Sequence, residues 1–337
     1  MKIISLKEFL SKRSSSKKAT TLIYDGDDAY WGEAIETDIL VCTRGKVSAY
    51  WRGPESETSE LLKPRPINHK FSSPLLTSHL QKAVRVGNTT AALETTMSLL
   101  YSDPLKLLRR LPIIMVEDAN VVPGTSVIMW LVLTNGTRPI YENDAALVLG
   151  YVQALCETKT AMDVRGIGRH PLISRDLILR LGTPYAGDLA SLLLRREYGG
   201  MKGDMWRLSN AVYSFSISGR ARSMPLSLNP DDVGFLDGNG PNFLMAGIDY
   251  HPFPRLLNEV ADGEPSLTKA EVKKYVWIIE SGPNFRKPSS LKRMHCHSQH
   301  PVWELIQPHL RRFRETVLLR ELKRPDFPRP RSRRSAG

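Results

Sequence analysis

The sequence predicts a mainly α-helical body with a small β-rich N-terminal part and a disordered basic C-terminal tail. Three observations predict it. From about residue 75 to residue 322, apolar residues recur at helical spacing behind residues that cap helices. Between residues 21 and 53, short β-branched and aromatic runs come first. From Pro325 to Gly337, three prolines and four arginines leave almost nothing to bury. The expected organisation is a basic arm over 1–20, a β-rich segment and linker over 21–74, and a helical domain over 75–322. That domain carries an irregular insertion over 229–254, and 323–337 is the tail.

Thr21 to Tyr24, Ile39 to Thr43 and Val47 to Trp51 read as strands. Gly45, between the last two, permits a tight reversal, so a hairpin is expected there. Pro54, Pro64, Pro66 and Pro74 mark 54–74 as a linker. Leu80, Ala83 and Val84 then fit one helical face, and Gly87-Asn88 breaks it. Thr89 or Thr90 is expected to cap a helix through Leu93, Met97 and Leu100. Asp103-Pro104 is a start signal: the carboxylate accepts from free N–H groups, and proline in the first turn needs no donor. Leu105, Leu108 and Leu111 follow, and Pro112 is expected to interrupt or kink that helix.

Val127 to Leu133 is uniformly apolar, so its period does not separate a buried strand from a buried helix. Further helices are expected after Asp144, Ser174, Thr183-Pro184 and Asp204. Thr268 and Glu271 have capping-box spacing ahead of Val272, Val276 and Ile279. The last helix carries Val302, Leu305, Ile306, Leu310, Phe313 and Val317, with Pro308 expected to shift its start. Asn229 to Pro254 is too long for an idle connection and reads as a structured loop or an insertion.

Of 337 residues, 47 are Lys or Arg and 35 are Asp or Glu, a net charge of +12. The charge is concentrated at the two ends. Residues 1–18 balance to +5, residues 286–337 to +10, and the middle to −3. Basic segments of this kind neutralise phosphates and release counterions, which points to a nucleic-acid partner. The basic positions expected to meet phosphate are Arg286, Lys287, Lys292, Arg293, Arg311, Arg312, Arg314 and Lys323, and in the tail Arg324, Arg329, Arg331, Arg333 and Arg334. Phe313 is expected to face inward while its flanking arginines fan out. Trp277 and Phe285 interleave with these cations, an arrangement suited to stacking on single strands. Trp277 also neighbours Val276 and Ile279, which favours a core position.

No apolar run approaches the ~20 residues that span a membrane. Cys42, Cys156 and Cys296 are too few and too scattered for a disulfide framework. There is no GxxxxGK[ST], GxSxG, HExxH or CxxC motif. Gly199 to Asp204 reads as a helix end followed by a helix start. The N-terminus is basic and Ser-rich, but it is richer in Lys than in Arg and contains Glu8. A cytoplasmic or nuclear chain is expected, with an organelle as the alternative.

His295, His297 and His300, with Cys296 between them, form the densest cluster of metal-ligand residue types. Asp249 and His251 are expected to supply further ligands if they converge on it, and a divalent metal would then serve phosphodiester hydrolysis. The competing reading is a polar surface loop between two helices, with no cofactor.

One stretch resembles a known family. It runs Lys82-Ala83-Val84-Arg85-Val86-Gly87-Asn88, then Ala91-Ala92-Leu93, Asp103-Pro104-Leu105, Arg109-Arg110-Leu111 and Glu117-Asp118. This order is similar to the C-terminal helical region of the replication-associated recombination protein A branch of clamp-loader-type AAA+ ATPases. The resemblance covers about residues 80–118 and lacks the ATPase module. It implies a related helical fold, homo-oligomer assembly and a role near DNA, and it implies no ATP hydrolysis. Lys82, Arg85, Arg109 and Arg110 match basic positions of that family, and Glu117 and Asp118 are placed to pair with them.

The function expected from these readings is a nucleic-acid-associated accessory or assembly protein that holds phosphate backbone through its basic C-terminal segment. The alternatives are a metal-dependent nuclease or phosphodiesterase using the His cluster, and a structural interaction protein.

Overall fold

The computed structural model describes residues 20–53, 59–65, 71–162, 173–183, 185–218, 226–249 and 253–323. The expectations for the arm, for the tail arginines Arg324, Arg329, Arg331, Arg333 and Arg334, and for His251 lie outside them. The mainly helical body with its small N-terminal sheet is as the sequence predicts.

Strands β1 (Thr21–Tyr24), β2 (Ala29–Trp31), β3 (Ile39–Arg44) and β4 (Val47–Trp51) form one sheet in the order β2-β1-β4-β3. The expected hairpin is β3–β4, paired antiparallel from Arg44↔Val47 to Ile39↔Trp51. Gly45 turns it at φ 60°, where any Cβ would be strained. β1 joins β4 in parallel, with Thr21 opposite Ser48. β2 pairs antiparallel with β1, and its three residues are too few to show a period in the sequence.

The helical body begins with α1 (Ser73–Val86), α2 (Thr89–Ser102) and α3 (Pro104–Asp118). α1 starts inside the stretch expected to be linker. Gly87 ends it at φ 74°, and Asn88 caps α2 by accepting from the Ala91 N–H at 3.1 Å. Asn88 therefore does the capping expected of Thr89 or Thr90. Asp103 caps α3 as expected. Pro112 does not interrupt α3. It removes one backbone donor, but Leu111, Pro112 and Ile113 to Val116 are all buried, and that packing outweighs a cost of about 3 kcal/mol.

α4 (Thr125–Thr134) settles the ambiguous apolar run as a helix, and all ten of its residues are buried. It is apolar all round because it lies between the sheet and other helices. Trp130 on α4 donates its indole N–H to the Tyr50 carbonyl at 2.9 Å and packs its ring on Tyr24. α5 (Glu142–Glu157), α6 (Arg175–Leu179), α7 (Ala186–Glu197) and α8 (Lys202–Ser218) complete the body. Asp144 and Asp204 fall inside the first turns of α5 and α8 rather than before them. Asp144 is buried and pairs with Arg138 at 2.5 Å.

The described residues of 229–254 include the 3-10 turns Pro230–Asp232 and Met245–Asp249. His79 on α1 fastens this region. Its Nε2 accepts from the Leu244 N–H at 2.8 Å, so the ring proton sits on Nδ1, 2.8 Å from the Thr95 hydroxyl. Thr95 in turn donates to the Ala91 carbonyl. Burial pushes the His79 imidazole down to about 3.

α9 (Phe253–Gly263), which the sequence reading does not anticipate, leads to α10 (Lys269–Val276), a π-turn at Trp277–Ser281, α11 (Pro288–Ser298) and α12 (Pro301–Leu322). The Thr268–Glu271 capping box is present in full. Pro308 lies within α12 and does not move its start, which His300 caps. Leu256, Val260, Val272, Val276, Trp303, Ile306, Leu310 and Phe313 form a second hydrophobic cluster, separate from the main core. Among the described residues no helix is long and apolar enough to cross a membrane.

Candidate polyanion-binding cleft

A cleft of about 1040 Å³ opens where the C-terminal layer meets the body. Among the described residues, ten basic and three acidic ones line it. α1 contributes Gln81, Lys82 and Arg85 from one face, and α3 contributes Lys106, Arg109, Arg110, Glu117 and Asp118. Arg195 and Arg207 enter from α7 and α8. The opposite wall carries Lys273, Trp277, Lys287 and Arg293.

The back of the cleft is tied by ion pairs and hydrogen bonds. Arg85 pairs with Asp118 at 2.5 Å and also donates to the Ser281 carbonyl, which Lys82 reaches as well at 2.7 Å. Arg110 pairs with Asp204 at 3.2 Å and Glu117 at 3.5 Å. Glu117 also receives Arg207 and, at 2.8 Å, Gln81. Burial and the neighbouring Asp118 charge raise the Glu117 carboxyl above its ordinary range. The three acidic residues of the described lining are already engaged. Asp118 holds Arg85, Glu117 holds arginines, and Asp103 caps α3.

Arg286 stands behind this wall. Its guanidinium donates to the carbonyls of Val84, Arg85, Asp118, Leu155, Cys156 and Thr158, at distances from 2.6 to 3.3 Å. Those carbonyls belong to the C-terminal ends of α1, α3 and α5, where helices leave acceptors without partners and the dipole favours a cation. Asn284 adds a hydrogen bond to the Asp118 carbonyl at 3.2 Å. The segment 281–287 therefore stitches the C-terminal layer to the body through polar groups.

The mouth is different. Lys106, Arg109, Lys273 and Arg293 make no salt bridge among the described residues. Arg195 is 6% exposed and, among the described residues, holds only the carbonyls of Arg109 and Gly199. Burial lowers it to about 10, and the neighbouring charges of Arg109 and Arg110 push the same way. It stays charged at neutral pH. The buried Arg110 Nε has no hydrogen-bond partner among the described residues. Of the three guanidiniums gathered here, only Arg110 is held in an ion pair among the described residues. An anion would relieve their mutual repulsion.

The sequence-predicted positions divide accordingly. Lys287 and Arg293 line the cleft, while Lys292, Arg311, Arg312 and Lys323 are exposed outside it. Arg286 is a structural tie rather than a phosphate-facing residue. Arg314 does not fan out to solvent: it is 4% exposed and pairs with Glu280 at 3.0 Å. Phe313 does face inward. Trp277 is not in the core but 56% exposed. The reason is helical phase: Val272 and Val276 share the buried face, and Lys273, Trp277 and Ser281 repeat at i+4 along the cleft wall.

Two of these histidines lie on a helix, and the third stands in the turn that follows it. His295 and His297 are on α11, and His300 caps α12 through Nδ1, which accepts from Val302 at 3.2 Å. Nδ1 of His297 lies 2.9 Å from the Arg293 carbonyl, and the rings of His297 and His300 both pack on Tyr275. Asp249 ends a 3-10 turn in a different part of the chain. Among the described residues no group of three or more His, Cys, Asp or Glu side chains is placed to hold a metal ion.

The residues of the resemblance end up on α1–α3, and its four basic positions line the cleft. Sequence reasoning missed Lys106, Arg195, Arg207 and Lys273, whose common signal is an exposed or cleft-facing helical stripe and not a motif. Compared with protein-family models, curated proteins and solved structures, the chain matches none of them.

Proposed function

We propose that the protein binds nucleic acid by its phosphate backbone, in this cleft and along the basic C-terminal segment beside it. The observation that carries the reading is that, among the described residues, Arg109 and the buried Arg195 of the cleft make no ion pair although Arg110 adds a third positive charge beside them. Phosphate oxygens match guanidinium forks in charge and geometry. The C-terminal segment supplies Lys287 and Arg293 to the cleft, and Lys292, Arg311 and Arg312 extend the basic surface.

The test is fluorescence anisotropy with a labelled oligonucleotide over a series of salt concentrations. Binding should weaken linearly in log–log form with added salt. The double substitution Arg109→Ala with Arg293→Ala should weaken binding. It should also flatten the salt slope by about 1 for each phosphate that is no longer neutralised. No binding by the unaltered protein at low salt would end this reading.

A further inference from the structure

We infer that the cleft takes a single strand, DNA or RNA, and that Trp277 is the platform on which one base stacks. The inference rests on the phosphate-binding reading above and adds the class of nucleic acid to it.

Among the described residues Trp277 is the aromatic residue of the cleft lining, and it is more than half exposed although the adjacent Val276 is fully buried. Its position is built. The helix widens at this point into a π-turn, closed by the Gly282 N–H donating to the Trp277 carbonyl at 2.7 Å. The indole rests against Gly282. A Cβ at that position would lie 2.9 Å from the Trp277 Nε1 and 2.7 Å from its carbonyl oxygen. The indole is thus braced by backbone while the residue stays 56% exposed.

Cations flank it. Lys273 lies one helical turn before Trp277, and Lys287 and Arg293 line the same wall. An aromatic ring beside cations fits a strand whose phosphate and base are both accessible. In a duplex the base faces are stacked on each other and cannot reach an indole. Size points the same way. The cleft, at about 1040 Å³, is close to the upper range of small-ligand pockets, about 1,000 Å³. A few nucleotides of one strand fit such a space, whereas a duplex, whose major groove alone is about 12 Å wide, does not enter it.

The experiment uses the full chain and three labelled probes: oligodeoxythymidylate, oligouridylate and a DNA duplex of equal length. The variants are Trp277→Ala and Trp277→Phe, with thermal melting as the check on folding. The expected result is tighter binding of one or both single strands than of the duplex. Trp277→Ala should weaken single-strand binding roughly 5- to 150-fold without changing the salt slope or duplex binding, and Trp277→Phe should restore most of the loss. Preference for the duplex overturns the inference and leaves the phosphate reading standing. So does a Trp277→Ala variant that binds single strands as tightly as the unaltered protein, or that loses equally on all three probes. Absence of binding to every probe overturns both.

Discussion

Arginines at the back of the cleft and arginines at its mouth do opposite things. Arg286 directs its guanidinium into six backbone carbonyls, and Arg85 is closed by Asp118 and Ser281. Arg109 makes no salt bridge among the described residues, and Arg195 finds carbonyls but no carboxylate. A positive charge in this protein is sorted by its acceptors. Where backbone carbonyls and carboxylates suffice, the cation is part of the fold. Where carboxylates do not suffice, the cation is available for the phosphate contact proposed above.

Removing a cation from each region sharpens the contrast. The largest effect belongs to Arg286→Ala, which leaves the carbonyl ends of three helices without their shared donor. A loss of about 3 kcal/mol or more is expected in urea unfolding. Arg286→Lys should recover little, because one ammonium with three donors cannot replace the planar fork. A variant as stable as the unaltered protein would erase the distinction between the two regions.

His79 acts through pH, as a buried base kept neutral, and one unit below pH 6.5 its effect is smaller than that of Arg286→Ala. Its folded value of about 3 lies below the ordinary 6.5. Below pH 6.5 the unfolded chain takes up a proton that the folded chain refuses. The contribution is complete above pH 6.5 and is lost as the pH falls toward 3, at about 1.4 kcal/mol per unit. Urea midpoints measured across that window should show this slope, and His79→Gln should remove it.

The smallest effect on stability belongs to Arg109→Ala. A change within about 0.5 kcal/mol is expected at a position with no salt bridge. A loss as large as that of Arg286→Ala would show that the mouth, too, is structural.

Local chemistry was legible in the sequence wherever it acts over a few residues. The β3–β4 turn at Gly45, the Asp103 cap and the Thr268–Glu271 box all stand where spacing puts them. β2 is too short to carry a period, and Pro112 misleads because tertiary packing decides its fate. The cleft itself is not legible as a motif. It joins residues from Pro74 to Arg293, and charge counted along the chain does not say which helix faces converge. Net charge located the basic C-terminal segment but could not tell Arg286 and Arg314, turned inward, from Arg293 and Arg311, turned outward. Trp277 could have been placed from the Lys273–Trp277–Ser281 repeat, had helical phase outweighed its apolar neighbours.

The Arg286 tie also sets an order of assembly. Its acceptor in Val84 lies 202 residues earlier in the chain, and its nearest, Thr158, 128 residues earlier. Contacts that close loops of this length form after local ones, and a chain made from its N-terminus folds its early parts first. The helix hairpins of the body can therefore form before residue 286 has been synthesised, with their carbonyl ends still open to water. The cleft is complete only once the C-terminal layer has arrived, so its two walls are joined by parts of the chain made at different times.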